Sequence, residues 1–420
     1  MNCKPHWLLA ALFCVAQMAV LAIFGYTPYP DSQGYIGLAG DSLLYGEPYP
    51  VAEKLGELTF VWNVGAINAV ALSLWLAGSV WPLLVVYTLM KGATAWLLYD
   101  TGRQLFGPKV AIVALVLYVL YPANYGEATS AHSEVPHTFF MMLGICLALR
   151  QRFLAAGVVL ALANWFRPMA IVPLVVMALW LLCGRRWRGV GGLLAGYALV
   201  LCLIGTASYV RTGHVIVQAK TGWMALLQYS VDHSPQDDAH LTYTPPEYDC
   251  FQRDSLWREH ALRWIADNPV EYVLQMPGKL LGMYGSDNVN FCVFLPQKAS
   301  MEYMYEPLSM RTLAKDAPRL TALQWLVVCN LLYYAVLLAL SFVCLCVVAW
   351  RRRWRSLALW IPGGIVLLET LMLLFVGHGE ARFHQPLMPF FVLLAALAVV
   401  RFKGLAREAA PIPRSRCRPR

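Results

Sequence analysis

Ionisable residues stand in a few short stretches between long apolar runs. The first stretch is Thr27-Pro28-Tyr29-Pro30-Asp31-Ser32-Gln33-Gly34-Tyr35, directly after an apolar segment. Two prolines stiffen it and keep it out of helix, so Asp31 stands at the mouth of the chain, ahead of a short helical pattern over 32–45. A carboxylate held there suits a general base acting on an acceptor brought to a membrane surface. Asp31 or Ser32 equally serves as a plain N-cap of that helix. The other stretches hold Glu53-Lys54; Glu127, His132 and Glu134; Arg167; and His378-Gly379-Glu380-Ala381-Arg382-Phe383-His384. Acids and cations at the ends of apolar helices are costly unless they pair or meet a charged ligand.

The elements that must position these groups follow from composition. The chain has 420 residues, 59% hydrophobic and 14% charged, where soluble domains carry roughly a quarter charged. Several apolar windows are long enough to cross a hydrocarbon core. They lack the strict alternation of a barrel strand. The expected class is all-α: a polytopic helical membrane protein with about 10–11 transmembrane helices of some 20 residues each. The net charge of +9 does not point to nucleic acid. Lys and Arg gather in 103–109, 150–152, 185–188, 351–355 and from Arg401 on, with Asp100 and Glu408 as the acids among them. That is the positive-inside pattern. The 11 cysteines include no CxxC pair, which leaves no zinc or redox framework to argue for.

Alternation of the basic segments sets the expected topology. Residues 1–209 form an N-terminal transmembrane module whose first helix is retained, with an external loop at 27–60. Residues 61–78 are interfacial or re-entrant, and 80–101 cross fully. Residues 210–320 are an external, acid-rich region with helices lying on the membrane; 256–279 has an amphipathic pattern that Pro269 breaks or restarts. Residues 321–402 carry the last transmembrane helices, and 403–420 form a basic cytoplasmic tail. This topology brings Asp31, Glu53-Lys54, Glu127, Glu134, Arg167 and 378–384 to the outer interface. Lys91 and Glu369 fall inside apolar spans, and are expected to pair across them. An oxidising compartment would let Cys250 and Cys292 pair; otherwise they are unrelated thiols.

Four pieces resemble the GT-C superfamily of lipid-linked-sugar glycosyltransferases, closest to its protein mannosyltransferase and aminoarabinose transferase group. They are Asp31-Ser32-Gln33-Gly34-Tyr35-Ile36-Gly37-Leu38-Ala39; Ala123-Asn124-Tyr125-Gly126-Glu127 on to Ser133-Glu134; Asn164-Trp165-Phe166-Arg167-Pro168; and Gly377-His378-Gly379-Glu380-Ala381-Arg382-Phe383. A softer piece is 259–279, similar to an amphipathic segment before the later helices. The order of the pieces along the chain is what is specific.

The resemblance implies a helical module with its active site at the outer face, and inverting transfer of a sugar from a polyprenyl phosphate to a lipid, glycan or protein acceptor. Asp31 takes the position of the base. Glu134 matches a second acid, with Glu127 in reserve. Glu53-Lys54 resembles an acid–lysine pair of the aminoarabinose transferases, but the prolines that follow it there are absent here. The leaving phosphate needs cations, and arginine offers a planar fork for it. Arg382, Arg167 and Lys54 are the expected phosphate ligands, with His384, His378 and Glu380 behind them. Arg167 equally suits an interfacial anchor snorkelling from its helix end. A divalent ion, Mg or Mn, between Asp31 and Glu134 is allowed, though no ligand spacing demands it. His132 is expected as polar filler or as a partner of a ligand. The expected location is a bacterial inner membrane with the site on the periplasmic face. The alternative is a transporter or flippase of lipid-linked sugars, which would place polar groups near the midplane of two related halves; no internal repeat is visible.

Overall fold

Helices account for nearly all the ordered chain, and no strand occurs among the described residues. The structure, a computed structural model, describes residues 5–231, 239–287, 289–294, 315, 320–350, 359–377 and 379–401. The helices are α1 (Pro5–Phe24), α2 (Pro30–Tyr45), α3 (Val64–Ala77), α4 (Trp81–Phe106), α5 (Pro108–Leu120), α6 (Glu134–Leu149), α7 (Phe153–Phe166), α8 (Ile171–Cys183) and α9 (Trp187–Thr212). After them come α10 (Gly222–Val231), α11 (Cys250–Asp267), α12 (Pro269–Leu274), α13 (Met276–Tyr284), α14 (Ala322–Trp350), α15 (Gly364–Val376) and α16 (Met388–Arg401).

The expected class holds: this is a polytopic helical membrane protein. Among the described residues five helical stretches, against about 10–11 expected transmembrane helices, are long and apolar enough to cross a membrane: His6–Phe24, Trp81–Phe106, Trp187–Thr212, Ala322–Trp350 and Ala381–Val400. A sixth arises if α5 and the bent segment after it, Pro122–Thr129, count as one span. Apolar helices too short to qualify include α3, α6 and α7. Their shortness has a local cause. α7 stops at Arg167-Pro168, because the ring of Pro168 excludes the helical conformation from the residue before it, and Arg167 is extended, with φ −155° and ψ 133°. α5 stops at Tyr121-Pro122 for the same reason.

The segment between α9 and α14 divides at Pro269, as its sequence suggests. Asp249 caps α11, its carboxylate accepting from the amides of Phe251 and Gln252 at 2.8 Å each. α11 ends at Asp267 and the chain restarts as α12 at Pro269, where a proline at the first helical position costs no hydrogen bond. Trp257, Ala261 and Trp264 of α11 pack with Leu226 and Leu227 of α10 in a small core of their own.

α6 sets the distance between the two polar ends of the bundle. Its 16 residues span roughly 24 Å at the helical rise. Beyond its last turn, Arg150 donates to Asp100 at 2.7 Å, and Arg103 reaches the same carboxylate at 3.1 Å. Its first residue is Glu134. Arg103 and Arg150 therefore lie at the opposite end of α6 from Glu134.

One expected pairing does not form. Lys91 of α4 is bound to Glu127, not to Glu369. The bent segment after α5 brings Glu127 to it, with Asn124 Oδ1 at 2.9 Å, and α5 adds the Tyr118 hydroxyl at 3.3 Å. Cys250 and Cys292 are not joined in a disulfide, which leaves the reading of two unrelated cysteines. Cys250 starts α11 and its amide donates to the Leu55 carbonyl, whereas Cys292 lies under Tyr29 and accepts from its hydroxyl at 3.3 Å.

Candidate active site

Asp31 occupies the first turn of α2, and the turn is built around it by its neighbours. The Tyr29 amide donates to Ser32 Oγ at 2.9 Å, and Tyr26 and Ser32 hydroxyls lie 2.9 Å apart. Capping thus falls to Ser32, and the Asp31 carboxylate is left for other partners. Its Oδ2 accepts from Arg382 Nη1 at 2.6 Å, across 351 residues of chain. The same guanidinium donates from Nε to Glu380 Oε2 at 2.5 Å. Arg382 is carried by the 3-10 turn Ala381–Leu387, which leads into α16.

A second carboxylate–arginine pair stands beside the first. Glu134, at the start of α6, is bound by Arg167 Nη1 from the end of α7. Both guanidinium groups stack on Phe383, with centroid distances of 4.8 Å for Arg167 and 5.4 Å for Arg382. Such stacking strengthens as water is excluded. A polar chain runs behind Glu134 to Tyr35. Asn63 Nδ2 donates to the Tyr35 hydroxyl at 2.7 Å and to Ser133 Oγ at 3.2 Å, and Ser133 Oγ donates to Glu134 Oε2 at 3.3 Å. Tyr35 follows Asp31 by one helical turn. Its phenol pKa is raised, chiefly by burial and then by the charges of Asp31 and Glu134, so it stays a proton donor. His132 packs edge-on against Tyr29, centroids 4.6 Å apart. Burial lowers its pKa, so the ring is neutral.

The site combines five of the expected residues, Asp31, Glu134, Arg167, Arg382 and Glu380, the last as the partner of Arg382. The others lie elsewhere. Glu127 is committed to Lys91, so it is no reserve acid for this cluster. Glu53 is exposed, and Lys54 donates to Glu57 at 2.8 Å rather than to a member of the cluster. The short turn Ala52–Lys54 keeps both on the outer side of the first loop.

His384 is not a phosphate ligand. It is fully buried and turned the other way, its Nδ1 donating to the Met283 carbonyl at 2.7 Å and its Nε2 lying 3.1 Å from Asp287 Oδ1. Asp287 also accepts from the Tyr121 hydroxyl and, at 3.0 Å, from Asn330 Nδ2. This network fastens the turn that carries Arg382 to the end of α13. His378 lies outside the described residues.

A divalent metal does not fit the residues present. Among the described residues no three His, Cys, Asp or Glu side chains group as ligands, and Asp31 and Glu134 are each bound by arginine.

Tyr35, Asn63, Ser133 and Phe383 complete the site without having been singled out for it. Tyr35 had a signal in its spacing from Asp31, which places both on one helical face. Asn63 had one as a lone amide at the edge of an apolar run. Ser133 and Phe383 had none beyond adjacency to Glu134 and Arg382.

Fold and site together define a helical membrane protein with two acid–arginine pairs gathered at one end from the first loop, α6, α7 and the turn before α16. Compared with protein-family models, with curated proteins and with solved structures, the chain matches none.

Proposed function

We propose that the protein is an inverting glycosyltransferase that moves a sugar from a polyprenyl-phosphate donor to a hydroxyl of a lipid, glycan or protein acceptor at the outer face of a cell membrane. One observation carries the reading: Asp31, half-buried at a helix start, is held by Arg382 beside the matching pair Glu134–Arg167. Sugar transfer to a hydroxyl needs a base for the acceptor proton and cations for the leaving phosphate. These pairs contain both.

The chemistry follows from exchange of partners. The donor phosphodiester accepts both arms of a guanidinium, and its charge grows as it becomes a leaving monoester. Arg382 and Arg167 turn toward it, and Asp31 Oδ2 is freed for the acceptor hydroxyl. The acceptor hydroxyl then hands its proton to Asp31 as its oxygen attacks the anomeric carbon. The bond from that carbon to the phosphate oxygen breaks on the opposite face, and the phosphate leaves as an anion held by the arginines. Tyr35, kept protonated, accepts from Asn63 and has its own hydroxyl proton to offer within the cluster.

The test is transfer of labelled sugar from a panel of polyprenyl-phosphate sugars to membrane lipid extracts by the purified protein. Wild type is expected to label a product that Asp31→Asn does not. Transfer by neither, with specific binding of the lipid donor, would replace the enzyme by a transporter.

A further inference from the structure

Two buried charges remain once the ion pairs are assigned. Lys279 of α13 is 4% exposed, and its Nζ has no hydrogen-bond partner among the described residues. The Tyr272 ring lies 5.3 Å from it. Glu369 of α15 is 1% exposed and its Oε2 is likewise without a partner. The expected mate of Glu369, Lys91, is taken by Glu127. Uncompensated charges of this kind are expensive, and a fold that keeps them inside a membrane protein keeps them for a ligand or a proton.

The two residues belong to one seam. The Tyr272 hydroxyl donates to the Phe375 carbonyl at 2.6 Å, and the Tyr284 hydroxyl lies 2.6 Å from Thr370 Oγ1. α12–α13 therefore pack against α15 and the residues just after it, and Lys279 and Glu369 are buried on these helices. One end of the seam adjoins the acid–arginine site. A β-carbon on Gly379 would collide with the Lys279 carbonyl, and one on Gly282 with the Gly379 carbonyl. Two glycines thus let α13 rest on the backbone one residue before Glu380, the partner of Arg382. Glu369 has Arg167 within electrostatic reach. On the outside of the same helices Leu274, Leu281, Leu367 and Phe375 are exposed apolar side chains, as a surface in contact with hydrocarbon would be.

The arginines of the site reach a phosphate only by leaving Asp31, Glu380 and Glu134. Among the described residues Lys279 is a buried cation with no acid partner, free to hold the phosphate alongside them. Burial lowers its pKa, a direction that a bound anion would reverse. A ligand that satisfies the seam carries an anion, a hydroxyl and a hydrocarbon chain. We propose that the seam between α12–α13 and α15 is the seat of a phosphate-bearing lipid, with Lys279 taking its phosphate and Glu369 a hydroxyl of the group that the phosphate carries. This rests on the transferase reading and adds two residues to it.

The test uses the full chain in lipid nanodiscs, with binding and thermal unfolding followed together. The probes are polyprenyl phosphate, polyprenyl-phosphate mannose and glucose, free polyprenol, and inorganic phosphate. Lys279→Met is expected to unfold at a higher temperature than wild type, because it removes an unpaired buried charge, and to bind polyprenyl phosphate at least tenfold more weakly. Glu369→Leu is expected to be equally well folded and to lose the preference of wild type for a sugar-bearing lipid over the bare phosphate; Glu369→Gln, which still hydrogen-bonds, keeps part of it.

Undiminished binding by Lys279→Met, or an intact preference in Glu369→Leu, overturns the seat. So does a lowered unfolding temperature in either variant with unchanged binding per folded molecule, which marks a structural role. Protection by inorganic phosphate equal to that by the lipid keeps the phosphate site and overturns its assignment to a lipid. A wild type that binds polyprenyl phosphate through Lys279 yet transfers no sugar refutes the transferase and leaves the seat standing.

Discussion

Two polar regions of this bundle use the same residue types for opposite ends. At the cluster of Asp31, Glu134, Arg167 and Arg382, acids and arginines meet from four distant segments and stay partly open; the Asp31 side chain is 28% exposed and that of Glu380 37%. Around Lys91, the partners Glu127, Asn124 and Tyr118 close completely. The sealed network spends its hydrogen bonds on itself and holds the bent segment after α5 against α4. The open cluster pairs its charges with one another while leaving a face from which a ligand can compete for them. What separates the two regions is access to Asp31 and Glu380, since Glu134 is as buried as Glu127.

Mutations sharpen that contrast. The largest expected effect is on transfer: Asp31→Asn removes the base and lowers the rate about 10²–10⁴-fold, with the unfolding temperature near that of wild type. Lys91→Met should leave transfer per folded molecule intact. It strands a buried carboxylate, and should cost about 3–5 kcal/mol in chemical denaturation, most of it restored by adding Glu127→Leu. Asn63→Ala breaks the link between Tyr35 and Ser133, and is expected to lower stability by about 1 kcal/mol and transfer about tenfold, measured on the same preparation. The smallest effects are null. Glu53→Gln should leave transfer within twofold, and so should a chelator, since the acids of the site are bound by arginine.

Much of the architecture could be read from the chain because it rests on periodicity and punctuation. Apolar length indicated the helices, and Pro269 the break between α11 and α12. The meeting of Asp31 with Arg382 and of Glu134 with Arg167 was legible only as a shared end of the bundle, since partner choice depends on the packing of four segments. The errors have one physical source. Lys91 and Glu369 looked complementary by sign and depth, but the bend after α5, which put Glu127 closer, leaves little mark in composition. His384 shares a short motif with Arg382, yet a 3-10 turn points neighbours in different directions, and Asp287 claims it. Cys250 and Cys292, whose pairing the sequence left open, share a segment but belong to different packing layers.

The most direct measurement sets one residue of each region against the other: sugar transfer per folded molecule, with unfolding temperature, for Asp31→Asn and Glu127→Gln. Asp31→Asn should fold like wild type and transfer nothing detectable, while Glu127→Gln should unfold earlier and still transfer. Transfer retained in Asp31→Asn and lost in folded Glu127→Gln would contradict the account and move the chemistry to the buried network.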